Sequence, residues 1–517
     1  MLDDRQVTSR GSGCCPRQPL VMVYVAVLSY FSVAFMGLST LPAWLQACVI
    51  AENPDATPDE VAVIYGARYS AFTFFQGTVI ALVAGWAGAL SDRFGRRRCA
   101  ALPAIGQAVG SAVLALTAYY ELDWRVGLAG WTVSGALGGP LVFLASAFAY
   151  MADWTPQERR GRTFAGLEGS MLYVSAIGPL LSSRVVQLWG LLAATETRRS
   201  AVGFAGLWGT CAAVYAVSPV CFALAQPSPQ VRVPPAPCAL WWRRSTPALV
   251  GALLCEGRGG LNRLCAAFVL ATSSSAGGVS AFLLYAQRYL HWEVGKIGLY
   301  VALFAVTTGT MILCNTLILP RLLARCGGRP PPHDLSMVRG AYLGPPVYLL
   351  LLYLAPLDAR EAVAFWAIPL LGCGACAIPH LRALFSAARP AERQGETMAM
   401  VAALESIPQM VASPLCALAF TRMLSAPQFI FVAAAAPVLL ALLLLASLRR
   451  ASLRPHRDEG CAPPILVADP RRRLLLAGGD ADMVPTSPCA TTAQSVLGPT
   501  PPTAAASGHQ VRQTGES

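Results

Sequence analysis

The sequence predicts an all-α membrane protein with twelve transmembrane helices, built as two six-helix repeats with both termini cytoplasmic. Three observations lead there: an apolar composition, twelve apolar runs of spanning length, and loop motifs that recur at a nearly constant offset. Of 517 residues, 55% are hydrophobic and 13% charged, with mean hydropathy +0.52. Soluble proteins carry about 25% charged residues, so this chain has too little polar surface to cover several globular cores. A soluble enzyme is excluded on that ground.

The first apolar run, about Leu20 to Cys48, follows Arg5, Arg10 and Arg17. It is longer than a signal-peptide core and lacks a small-residue cleavage site, so it is predicted to stay as a span. Runs at about 62–89, 99–120, 126–152, 164–192 and 201–225 complete the first six. Six more follow at about 264–288, 297–319, 335–354, 362–385, 398–421 and 427–448. Each approaches or exceeds the roughly 20 residues needed to cross a hydrocarbon core. The predicted organisation is a cytoplasmic N-terminus 1–19, a six-helix bundle 20–225, a cytoplasmic central loop 226–263, a second bundle 264–448, and a disordered cytoplasmic tail 449–517. The tail mixes Pro, Ala, Ser, Thr and Gly with both charge signs and has no helical period.

The formal charge of +12 would suggest nucleic acid in a soluble chain, but here its placement is what informs. With the N-terminus inside, the inner connections hold twenty Lys and Arg and the outer ones six, the bias that sets membrane orientation. Most of the sixteen cysteines lie inside apolar runs, where a thiol behaves as a small hydrophobe, so no disulfide framework is predicted. Cys373 and Cys376 have metal or redox spacing, but within a span they read as small packing residues. Cys14 and Cys15 are a weak palmitoylation site, and Trp241 and Trp242, followed by Arg243 and Arg244, suit the inner interface.

The two halves share loop motifs. Pro156 to Gly161 and Pro390 to Gly395 both read P-x-E-R-x-G, offset by 234. Arg93 to Arg97 and Arg325 to Arg329 both read R-x-G-x-R, offset by 232. Two motifs agreeing so closely on an offset predict a duplicated six-helix unit, an architecture suited to alternating access around a midplane site.

Gly88 to Arg98 reads G-A-L-S-D-R-F-G-R-R-R. This resembles the G-x-L-x-D-R-x-G-R-[RK] signature between spans 2 and 3 of the major facilitator superfamily, and the resemblance extends over about Leu20 to Leu448. Gly88 suits close helix contact, and Asp92 suits the positive end of a neighbouring helix. Gly88, Asp92, Arg93, Gly95, Arg96, Arg97 and, after span 4, Asp153 are the implied gating residues. Ala152-Asp153 with the E-R-R-G-R run, and Trp292 with Ile297-Gly298, look like the solute-carrier branch that holds the proton-coupled folate transporter and the thymic stromal cotransporter. Tetracycline:proton antiporters share much of the same pattern.

The resemblance implies a secondary active transporter of a small organic solute, an organic anion or a folate-like or peptide-like molecule, coupled to protons. The partners expected are that substrate, protons and the lipid bilayer, with no nucleic acid, metal or cofactor. The membrane expected is the plasma membrane, with an endolysosomal membrane as the alternative. A drug antiporter and a non-transporting sensor or scaffold are the rival functions. No Walker motif is present to drive pumping by ATP, and His380 has no acid or nucleophile at a catalytic spacing.

Ionisable residues inside spans each cost a few kcal/mol near the bilayer centre unless they line a cavity or pair. Glu168, in F-A-G-L-E-G-S, resembles in register the branch's proton-coupling glutamate, and Glu405 is its candidate counterpart in the second half. Arg382 matches the branch's span 10 arginine, the alternative being that it snorkels to the interface. Arg160 or Arg162 is the alternative partner for Glu168. Thr272, Ser274 and Tyr173 are substrate-cavity candidates, with Thr272 to Ser275 and the following glycines forming either an unwound lining segment or a close helix contact. Three positions depart from the branch: Trp131, Gly139 and Ser274 stand where it has ionisable residues.

The charge bias predicts a topology. Tags placed after Ala56 and within residues 193–200 are expected to be labelled from the non-cytoplasmic side, and tags in the central loop or tail only after permeabilisation. Labelling of the central loop from the non-cytoplasmic side would rule out the twelve-span arrangement.

Overall fold

Thr57 shows how the chain turns from loop to span. Its hydroxyl accepts from the Glu60 backbone N–H at 3.3 Å, and the Glu60 carboxylate accepts from the Thr57 N–H at 2.8 Å. This reciprocal capping box satisfies two amides that the first helical turn leaves open. The same helix stops at Gly95, whose φ of +97° is open to glycine at no steric cost.

The protein is described from a computed structural model, which covers residues 18–156, 159–227, 251, 260–319, 321–322, 334–387, 394–423 and 426–448. These contain twelve helices long and apolar enough to cross a membrane: α1 (Leu20–Glu52), α2 (Glu60–Phe94), α3 (Arg96–Tyr119), α4 (Trp124–Trp154), α5 (Arg160–Gly190), α6 (Arg199–Leu224), α7 (Gly260–Tyr289), α8 (Gly295–Ile318), α9 (Asp334–Leu354), α10 (Ile368–Ala387), α11 (Gln394–Phe420) and α12 (Phe429–Ala446). Each corresponds to a predicted run. Several continue past the apolar stretch, because intrahelical hydrogen bonding carries α2 through Ser91, Asp92 and Arg93 to Phe94. The N-terminal segment with Cys14 and Cys15, most of the central loop with Trp241 and Trp242, the second R-x-G-x-R motif and the tail lie outside the described residues.

The helices form two six-membered bundles. In the first, α3 packs on α4 and α6, and α1 on α5 and α6; in the second, α7 packs on α11 and α12, and α9 on α12. Across the divide, α2 meets α11 and α5 meets α8. Advancing each number of the first pair by six, modulo twelve, turns it into the second, as a duplicated unit requires.

Both crossings depend on missing side chains. A Cβ at Gly88 would lie 2.5 Å from the Ala399 Cβ of α11, and one at Gly298 would lie 2.5 Å from the Pro179 carbonyl oxygen of α5. In lipid, where apolar surface gains nothing by leaving water, such close backbone contact is a main source of helix association. Trp292, just before α8, is 3% exposed and donates from its indole N–H to Glu361 at 3.2 Å. Lys296 joins the same carboxylate at 2.6 Å, and its hydrogen bond holds the Glu361 carboxyl below the usual range.

The alternative of an unwound segment in α7 is not realised. The helix runs unbroken from Gly260 to Tyr289, and a Cβ on Gly277 would lie 2.5 Å from the Cys416 Sγ of α11. Gly277 therefore serves close packing, whereas Gly278 lies on the wall of a cavity. Val in place of Gly298 is expected to destabilise the protein by about 1–3 kcal/mol, the usual cost of overpacking, read as a lowered thermal midpoint in detergent. Ala in place of Gly209, which meets nothing within 4 Å, is the control and should leave the midpoint unchanged or slightly raised.

Candidate functional site

Glu168 lies two turns into α5, and Gly169 beside it brings that helix to α8: a Cβ there would lie 2.7 Å from the Leu313 side chain. Pressed between the halves, the Glu168 carboxylate accepts a hydrogen bond from Arg382 of α10 at 2.9 Å. A second guanidinium nitrogen of Arg382 donates to Glu405 of α11 at 2.8 Å. Glu168 is 4% and Arg382 5% exposed. Arg382 therefore does not snorkel; its guanidinium carbon sits 4.6 Å from the centre of the Phe148 ring, adding a cation–π contact from α4. Arg160 is not the partner of Glu168. It donates to the Ala152 carbonyl at 3.1 Å and to the Ser386 hydroxyl of α10 at 3.0 Å.

A second charged cluster closes one end of the bundle. Asp92 accepts from the backbone N–H groups of Gly395 at 3.2 Å and Glu396 at 3.1 Å, in the first turn of α11. These amides have no intrahelical acceptor and stand at the positive end of the helix dipole. Arg96, fully buried, pairs with Asp92 and donates to Asp153 at 3.1 Å. Arg97 donates to the Ala225 carbonyl at 2.9 Å, and Arg93 points outward over Phe94. The α2–α11 contact at Gly88 thus carries a salt-bridge network within the first half and a helix cap in the second.

A cavity of about 210 Å³ lies mostly within the second bundle, with Phe35 and Ser39 of α1 on one side of its wall. Thr272 and Ser274 are on its wall, but their hydroxyls are engaged, Thr272 with the Phe268 carbonyl at 2.7 Å and Ser274 with the Ala434 carbonyl at 2.5 Å. Tyr173 is not on that wall; its hydroxyl meets Thr310 of α8 at 2.6 Å. Among the described residues no three His, Cys, Asp or Glu are grouped to hold a metal ion, and Cys373 and Cys376 are free thiols.

Residues 26–374 match the profile of the Major Facilitator Superfamily. The chain belongs to that superfamily. Solved structures agree in fold. The human organic anion transporter MFSD10 (TETRAN) is 18% identical, with a TM-score of 0.60 over 84% of this chain and 100% of its own. An auto-inhibited peptide transporter of the POT family is 16% identical, with a TM-score of 0.57 over 83% of this chain and 96% of its own. The proton:xylose symporter XylE is 15% identical, with a TM-score of 0.58 over 83% of this chain and 95% of its own. At such identities the likeness is one of fold. Membership makes this a multi-pass membrane protein of a transporter family and not an enzyme.

Two of the positions that the resemblance marked as departures, Gly139 and Trp131, are closely packed. Gly139 has φ +55°, and a Cβ there would lie 2.5 Å from the end of the Ile80 side chain. Trp131 packs edge-on against Trp208, with ring centres 6.2 Å apart, and against Phe72 at 6.4 Å. Sequence reasoning missed the Arg160–Ser386 link between the halves and the pairing of His380 with Asp334 at 2.8 Å. Asp334 was detectable as a carboxylate opening a span, whereas nothing local marks Ser386.

Asp92→Asn keeps the shape of the cap but removes the charge facing Arg96 and the α11 amides. It is expected to slow transport turnover several-fold while leaving equilibrium ligand affinity within about twofold. Normal turnover at normal expression would remove Asp92 from the gate.

Proposed function

We propose that the protein is a proton-coupled secondary transporter of a small organic anion, working by alternating access, with both termini cytoplasmic and the half-transporters at 20–225 and 264–448. The solute-carrier branch of the folate and thymic cotransporters is the assignment that best suits its motifs, with the plasma membrane as the site of action and an endolysosomal membrane as the alternative. The observation that carries this reading is the sharing of Arg382 by two carboxylates from opposite halves.

One guanidinium facing two carboxylates leaves a formal charge of −1 in an apolar interior, which one proton cancels. Protonating Glu168 or Glu405 also releases one edge of Arg382, which can then accept the carboxylate of an incoming substrate. Proton and anion thus bind together, and the neutral assembly crosses the closed state at lower cost than either charged form. His380, Tyr342 and Cys376 are the other titratable groups within electrostatic reach of the two carboxylates, and His380 is held by Asp334.

Gln at position 168 fixes the neutral form. Glu168→Gln is expected to reduce accumulation driven by a pH gradient by tenfold or more, yet to preserve substrate exchange, which needs cavity motion but no proton release. Uptake into proteoliposomes with and without a pH gradient reads the difference. If Glu405→Gln abolishes the pH dependence and Glu168→Gln does not, coupling belongs to the second half. If both retain the normal pH profile, these carboxylates do not couple protons.

A further inference from the structure

The 210 Å³ cavity has a chemistry unlike that of the ion cluster beside it. Its wall carries five aromatic rings of the second bundle, Phe282, Tyr300, Phe304, Tyr342 and Tyr348, with Phe35 from α1, and none of its lining residues is Asp, Glu, Lys, Arg or His. The Tyr300 and Tyr348 hydroxyls satisfy each other at 2.7 Å. Tyr342 differs. It is 4% exposed, and its hydroxyl has no hydrogen-bond partner among the described residues. A buried donor left open is uncommon and calls for an explanation such as an absent ligand.

The cavity also connects with the cluster in register. Ile378 is on its wall, and Arg382 follows four residues later on α10, which places it on the same face about 6 Å along the axis. Tyr342 touches both, lining the cavity and lying within electrostatic reach of Glu405. In size, the space exceeds the roughly 150 Å³ apolar cavity known to take up benzene but falls below the roughly 300 Å³ at which pockets for whole drug-sized molecules begin. It suits one ring system of a substrate whose remainder lies elsewhere.

We propose that this cavity receives the aromatic part of an amphipathic organic anion, whose carboxylate is taken by Arg382 one helical turn away and whose polar linker accepts a hydrogen bond from Tyr342. This deepens the transport reading above and rests on it for the role of Arg382. Because Phe35 and Ser39 of α1 line one side of the cavity while the other walls belong to the second bundle, an aromatic ring there contacts both halves. The substrate body would then help decide when the halves close.

The test measures binding to the purified full-length protein of three probes, naphthoate, naphthylmethanol and acetate, together with their counterflow in proteoliposomes. Naphthoate is expected to bind at least about tenfold more tightly than either other probe, and more tightly at lower pH, where a protonated Glu168 or Glu405 frees Arg382. Ala375→Leu puts three extra carbons into the cavity wall and should weaken naphthoate about tenfold while leaving acetate unchanged. Tyr342→Phe, which keeps the ring and removes only the hydroxyl, should weaken a fourth probe, naphthyloxyacetate, whose ether oxygen supplies the linker acceptor, about threefold while leaving naphthoate unchanged, and it guards against a folding defect in the larger substitution. Equal binding of naphthylmethanol and naphthoate would overturn the proposal in favour of a carrier for neutral apolar molecules. Absence of naphthoate binding at millimolar concentration, or indifference of naphthoate to Ala375→Leu together with indifference of naphthyloxyacetate to Tyr342→Phe, would overturn it outright. If the cavity variants act as expected but Glu168→Gln and Glu405→Gln leave pH-driven uptake intact, proton coupling fails and the aromatic subsite stands. The converse pattern sinks the subsite alone.

Discussion

Arg382 donates to Glu168 at 2.9 Å and to Glu405 at 2.8 Å, so one buried guanidinium ties a carboxylate of each half. Burying one such ion is costly. Coulomb attraction offsets the desolvation only with good geometry and full hydrogen bonding, and removing one partner of a buried pair costs about 3–5 kcal/mol. The three residues come from α5, α10 and α11, so none can shift without leaving another unpaired. An arrangement so intolerant of partial change favours discrete states, as a carrier needs if it is to avoid being open to both sides.

The same device recurs where α2 meets α11. Arg96 stands between Asp92 and Asp153 as Arg382 stands between Glu168 and Glu405, one cation with two carboxylates. There, however, Asp92 also accepts from two α11 backbone amides. Those partial positive charges complement the second carboxylate, so this cluster needs no proton to be neutralised. Among the described residues the interior cluster meets no such helix end, so one guanidinium faces two carboxylates there.

The two halves have diverged in what fills them. In the first, Tyr30 stacks on Phe143 with ring centres 4.0 Å apart, and Trp131 packs edge-on against Trp208. In the second, aromatic rings line a void instead of filling it. One half is therefore packed where the other holds a cavity, and the two meet at α2–α11 and α5–α8.

Much of the fold was legible from local chemistry. Apolar runs of spanning length can only be helices in lipid, since every backbone amide must be satisfied within its own segment. The paired loop motifs revealed the duplication, and Gly88 with Asp92 pointed to a close contact and a helix end. Glu168, Glu405 and Arg382 stood out as ionisable residues in apolar spans, but their pairing was hidden, because 214 positions separate Glu168 from Arg382 and periodicity carries no information about which faces of distant helices meet. The choice between snorkelling and ion pairing for Arg382, the continuity of α7, the link from Arg160 to Ser386 and the cavity behind Tyr342 were all decided by tertiary packing. Each depends on how closely two backbones approach, and that distance is set jointly by side chains from segments that the sequence keeps far apart.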